Sequence, residues 1–130
     1  FEVNQKDLLI WLEYICKRYD ANLNYLELTF CSDSYLLEMN NKYLQHDYLT
    51  DILTFDLNEK PNPLNIQGEL YISMDRVRDN ALDLKISWMD ELHRVIVHGL
   101  LHLIGFNDTS EELKLSMRKE EDVALALRMF

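Results

Sequence analysis

The sequence predicts an α+β fold, a small mixed β-sheet packed against helices, on three observations. Segments with apolar residues at every second position alternate with segments at helical spacing. The connections between them are short, and one helical pattern, from Ser87 onward, is apolar around most of its circumference. With 130 residues, 48% hydrophobic and 11% aromatic, the chain is expected to form one domain over 1–130 with its own core.

Residues 7 to 19 carry Leu8, Leu12, Ile15 and Tyr19 at helical spacing, which predicts an amphipathic packing helix. Tyr25 to Cys31 sets Leu26, Leu28 and Phe30 against Glu27 and Thr29, the pattern of a half-buried strand. Ser32 or Asp33 then caps a helix running to about Tyr43, with Leu36, Leu37 and Met39 inward. Asp51 to Asp56 reads as a second strand, Asn58 to Asn65 with Pro61 and Pro63 as a loop, and Gly68 to Met74 as a third strand. Asp75 to about Leu84 is helical, and Ser87 with Asp90 opens the next helix. Its Trp88, Leu92, Val95, Ile96, Leu100 and Leu103 make it the expected central, buried helix. Thr109 and Glu112 read as the capping box of a last helix ending near Met129.

A net charge of −10 counts against general affinity for nucleic acid, DNA included, because phosphate binding draws on clustered Lys and Arg. RNA is compatible with it only through a local cationic site or delivery by a protein partner. No apolar run approaches transmembrane length, so no membrane role and a cytoplasmic location are expected. Cys16 and Cys31 form no C-x-x-C pair and are read as reduced thiols.

The run His98 to Asp108, H-G-L-L-H-L-I-G-F-N-D, is where metal-binding residue types recur at a diagnostic spacing. His98 and His102 are four apart, so on a helix both imidazoles reach one ion. Gly105 permits a sharp exit from that helix through positive φ, which swings Asp108 back as a third ligand. Three ligands suit one zinc ion per chain at the end of the central helix, with a fourth position open to water. His46, in a polar loop, and His93, off the His98 face, are read as ordinary surface histidines. The spacing matches the metzincin metalloprotease pattern, except that Gly99 stands where those enzymes keep a glutamate base and Asp108 where they keep a third histidine. No peptidase activity is therefore expected.

With Gly99 in place, the run resembles more closely the H-G-x-L-H-L-x-G-[YF]-D-H signature of the YbeY family of metal-dependent single-strand endoribonucleases. Asn40, Tyr43 and the run Leu49-Thr50-Asp51-Ile52-Leu53-Thr54-Phe55 are similar to that family's L-N-x-x-Y-R and P-T-[DN]-V-L-S-F, and Gly68-Glu69-Leu70 to its G-D-I. The resemblance implies cleavage of single-stranded RNA in ribosomal RNA maturation, with a ribosomal particle or a ribosome-associated protein as partner. Thr50, Asp51, Gly68 and Glu69 are read either as lining the cleft along the substrate path or as strand termini and a bulge. The family's arginine after the tyrosine falls on Leu44, and leucine cannot replace a guanidinium. Another cation must then meet the phosphate, with Arg94, Arg76 and Lys42 the candidates. Arg94, one turn before His98, is the one assigned a catalytic role, against the alternative of a structural pair with Asp90. Asn107, where the family keeps aspartate, retains that residue's shape and its tolerance of the left-handed region but drops a charge. A different metal-dependent hydrolysis, or a noncatalytic ribosome-assembly factor, are the rival readings; Leu44 and the acidic balance favour the latter.

Overall fold

The computed structural model describes residues 3–45 and 50–130; His46 and Leu49 lie outside them. In chain order the described residues form α1 (Gln5–Lys17), β1 (Asn22–Cys31), α2 (Asp33–Leu44), β2 (Ile52–Asp56), β3 (Asn65–Ser73), α3 (Met74–Leu84), α4 (Trp88–Ile104) and α5 (Glu111–Ala126). The sheet order is β1-β3-β2, with β1 parallel and β2 antiparallel to β3, so the expected small mixed sheet is present.

The central strand explains why two strands are longer than their apolar patterns. Asn65, Ile66 and Gln67 sit in what reads as loop sequence, yet Asn65 pairs with Asn22 and Ile66 with Leu23, while Leu57 N–H donates to the Gln67 carbonyl. Partners on both sides therefore extend β3, and β1 with it, by three residues at the start.

Side-chain alternation then divides the sheet into two faces. Ile52, Thr54 and Asp56 stand opposite Ile72, Leu70 and Gly68 on one face; Phe55 stands opposite Glu69, and Leu53 opposite Tyr71, on the other. The first face receives α4. A Cβ on Gly99 would lie 2.7 Å from Ile52 Cδ1 and 2.8 Å from Leu70 Cδ2, and one on Gly68 2.5 Å from Leu103 Cδ1. Helix and sheet thus approach as closely as two glycines allow. The core gathers at this contact, with Leu92, Ile96, Leu100 and Leu101 of α4 fully buried with Leu70 and Ile72.

Caps follow the sequence closely. Ser87 accepts from Asp90 N–H at 3.1 Å, and Ser32 from Tyr35 N–H at 3.2 Å. The last helix starts one residue later than its capping box suggests: Ser110 accepts from Leu113 N–H at 3.1 Å, because the Thr109 hydroxyl is taken by Asn107 Oδ1 at 3.1 Å. In the first helix Asn4 is the cap, so α1 runs two residues earlier at each end than expected.

His93 is a correction to the sequence reading. It is buried, packed edge-on to Trp11 at 5.4 Å and Phe130 at 5.2 Å, and its Nδ1 accepts from Arg128 at 2.8 Å. The ring lies off the metal face, as expected, but α1 and the chain end cover what one helix alone would expose. Among the described residues no helix is long and apolar enough to cross a membrane. Cys16 is buried and Cys31 half-buried, both as free thiols.

Candidate metal centre

The last turns of α4 carry His98 and His102, and Gly105 ends the helix at φ +119°, a conformation that a side chain would strain. Its N–H and that of Phe106 bond back to the Leu101 carbonyl at 3.1 and 3.0 Å, closing the turn. The chain then reverses and brings Asp108 Oδ2 to 3.3 Å from His98 Nε2 and 3.7 Å from His102 Nε2. Positive φ in this turn belongs to Gly105 alone; Asn107 serves as an acceptor for Thr109 instead.

Hydrogen bonds from outside the trio fix what the two imidazoles present. His98 Nδ1 donates to Glu121 Oε2 at 2.7 Å, and His102 Nδ1 donates to the Phe106 carbonyl at 3.0 Å. In the neutral rings both Nε2 atoms are then bare lone pairs, and they face each other at 3.0 Å. Two lone pairs and a carboxylate oxygen converging on one point repel unless a positive charge lies among them. The donor atoms all fall within 4.8 Å of one another, and a two-nitrogen, one-oxygen set suits zinc, so the residues fit a metal. A proton on His98 answers the same demand. Burial works against that charge, but the Glu121 carboxylate, with Asp108 and Asp51 beyond it, outweighs burial and raises the His98 pKa.

Glu121 is a member of the candidate site that the sequence pattern did not reveal. Its side chain is 6% exposed, and its other oxygen accepts from Arg94 Nη1 at 3.0 Å, while Arg94 Nη2 reaches Asp122 at 2.8 Å. The signal was an acid on the buried stripe of α5, between Met117 and Ala124. Arg94 is thus on the His98 side of α4, as expected, but its partners are on α5. Asp90, its supposed partner, bonds Arg128 at 2.8 Å.

Two cavities open onto the trio. One, of about 630 Å³, is lined by His98, His102 and Asp108 together with Thr50, Asp51, Asn40 and Leu44. The structure therefore brings Thr50 and Asp51 to the site and puts Leu44 on its wall. The other, of about 450 Å³, lies toward α5 and is lined by His98, Asp108, Asp51, Glu91, Arg94, Lys114 and Arg118 among others. Burial raises the pKa of both Asp51 and Glu91; the Asp51 charge adds to the shift at Glu91, and His98 opposes the shift at Asp51.

Glu69 is not brought to this site. By strand parity it projects from the sheet face away from α4, into a groove of about 520 Å³ with Tyr35, Lys42, Tyr43, Phe55 and Tyr71. Gly68 belongs to the α4 face, where it serves close packing. Of the other proposed cations, Lys42 lines that distant groove, and Arg76 is bound to Asp33 and Asp79.

Comparison with known proteins identifies a family. The family model described as endoribonuclease YbeY matches residues 2–127. A Cytophaga hutchinsonii protein named endoribonuclease YbeY is 45% identical across 100% of this chain and 90% of its own length. Its namesake in Bacteroides thetaiotaomicron is 40% identical over 98% of this chain and 90% of its own. The solution structure of a Thermotoga maritima protein superimposes with a TM-score of 0.63 at 28% identity, covering 96% of this chain and 86% of that one. In sequence and fold, this chain belongs to the YbeY family of endoribonucleases.

Proposed function

We propose that this chain hydrolyses phosphodiester bonds of single-stranded RNA, in the maturation of ribosomal RNA, with one zinc ion held by His98, His102 and Asp108. The observation that carries the reading is the pair of bare Nε2 atoms facing each other at 3.0 Å beside a carboxylate. Held by His98, His102 and Asp108, a zinc ion would supply Lewis acidity toward a phosphoryl oxygen and a water nucleophile at neutral pH. Glu121 and the Phe106 carbonyl hold the two imidazoles in the ligating tautomer. Thr50 and Asp51 line the wall beside the ligands and orient the strand there. Arg94 serves the reaction through Glu121, whose carboxylate it fixes against His98. Flexible single strands are the expected substrate because a stiff duplex does not bend into such a cleft.

A ribosomal particle or ribosome-associated protein is the partner this reading implies, and the cytoplasm its compartment. One observation favours a noncatalytic assembly factor instead: Leu44 stands on the cavity wall where the resemblance expects a guanidinium. The test is His102→Ala against Asp108→His. His102→Ala should abolish both stoichiometric metal and RNA cleavage, and Asp108→His should keep both. Cleavage that survives the loss of metal would overturn the proposal, and metal without any cleavage in the wild type would install the assembly factor.

A further inference from the structure

The two cavities that meet at the metal ligands differ in charge. Toward α2 the wall carries Asn40, Leu44, Thr50, Thr54 and Asp56, and no lysine or arginine among the described residues. Toward α5 it carries Arg94, Lys114 and Arg118 beside His98 and Asp108. An RNA strand brings a negative charge at every nucleotide, and contacts to those phosphates supply most of its affinity.

The three cations on the α5 side are not equivalent. Arg94 is only 17% exposed and is committed to Glu121 and Asp122. Among the described residues Arg118 is exposed and makes no ion pair or hydrogen bond, and Lys114, 58% exposed, pairs with the exposed Glu111 at 3.6 Å. Lys114 and Arg118 are four apart on α5, so they stand one turn above each other on one helix face. Of the acids in the same wall, Glu121 is engaged by Arg94 and His98, Glu91 is buried and Asp51 half-buried, and the Arg118 charge acts on Glu91 from beyond ion-pair distance.

We propose that Lys114 and Arg118 form the phosphate-binding subsite of this chain, holding the RNA backbone next to the scissile phosphate so that the strand leaves the metal along α5. The proposal rests on the nuclease reading. A guanidinium grips phosphate through paired N–H donors and an ammonium as a point charge, so the two residues hold a flexible backbone without reading its bases. The subsite also explains how Leu44 is tolerated: the cation missing at position 44 is supplied from the α5 side.

Lys114→Ala, Arg118→Ala and the double variant test it, with Lys6→Ala, on the exposed face of α1, as control and metal content as the check on folding. Binding of a nuclease-resistant single strand, a 2′-O-methyl phosphorothioate oligonucleotide, is measured on the metal-loaded protein by fluorescence polarisation across a salt series. The double variant should bind roughly tenfold or more weakly. Its log-log salt slope should flatten by about 1 to 1.5, the loss of two phosphate contacts on a single strand. In cleavage of the ordinary RNA strand KM should rise with kcat nearly unchanged, and Arg118→Lys should retain part of the affinity. Wild-type affinity and salt slope in the double variant would overturn the subsite, whatever the cleavage result. If the wild type cuts no RNA, the nuclease reading falls on that result alone. The binding series still decides the subsite: lost affinity in the double variant upholds a phosphate site on α5, and unchanged affinity removes it.

Discussion

Glu121 Oε2 lies 2.7 Å from His98 Nδ1, so α5 sets the orientation of an imidazole carried by α4. The carboxylate fixes which nitrogen of His98 carries hydrogen and makes the other a better donor to a metal. Glu121→Gln keeps the shape and an acceptor but removes the charge. Metal affinity should fall about 10- to 100-fold with the fold retained, as read by competition with a chelating dye. An unchanged affinity would show that His98 needs no orientation from α5.

Arg94 stands behind Glu121, at 3.0 Å from its second oxygen. Arg94→Ala should lower RNA cleavage while metal content and fold survive, with a stability loss of about 1–3 kcal/mol from the carboxylate left without its guanidinium. Leu44→Arg should raise cleavage, because it restores a phosphate-binding cation to a wall that shares its cavity with all three ligands. Cleavage at the wild-type rate in both variants would make both residues bystanders.

Gly99 answers the question that the metzincin pattern raises. The position after His98 faces the sheet, not the metal, and a Cβ there would lie 2.7 Å from Ile52 Cδ1 and 2.8 Å from Leu70 Cδ2. Gly99→Ala should destabilise the fold by about 1–3 kcal/mol through overpacking, and Gly99→Glu should prevent a native fold without creating a peptidase. Denaturant unfolding and a casein digestion assay check the two statements; a stable, proteolytic Gly99→Glu variant would refute them.

His93 should make stability sensitive to mild acid. Burial, with the Arg128 charge adding to it, lowers its pKa from 6.5 to about 4 in the fold. As pH falls below 6.5 the unfolded chain takes up the proton and the folded one resists it. The contribution is therefore whole above 6.5 and is lost progressively toward 4. Between pH 7.5 and 5 the loss should be roughly 1–2 kcal/mol, at ~1.36 kcal/mol per unit. His93→Gln keeps an acceptor for Arg128 but does not titrate. Asp51 and Glu91, whose raised pKa values act in the opposite sense, remain in both proteins. The wild type should lose more urea stability than His93→Gln over that range, and equal losses would contradict the assignment.

The metal trio was legible because it is local: eleven residues of one helix end and its turn encode it, and the spacing fixes the geometry. What the sequence hid was contributed from afar. Glu121 reaches His98 across 23 positions, and His93 is buried by Trp11 and Phe130 from other parts of the chain. The starts of β1 and β3 were hidden because pairing on both sides of the central strand, and no apolar pattern, extends them. Glu69 differs, since strand parity already separates it from Gly68, and the two neighbours cannot line one cleft.

His98, His102 and Asp108 are proposed to hold a metal with which the chain cuts RNA. The most direct measurement is elemental analysis of the purified wild type, paired with cleavage of single-stranded RNA before chelation, after it, and after zinc is restored. One transition metal per chain is expected, with cleavage that disappears with the metal and returns with zinc, and no cleavage in His102→Ala. Undiminished cleavage by protein stripped of metal would contradict it.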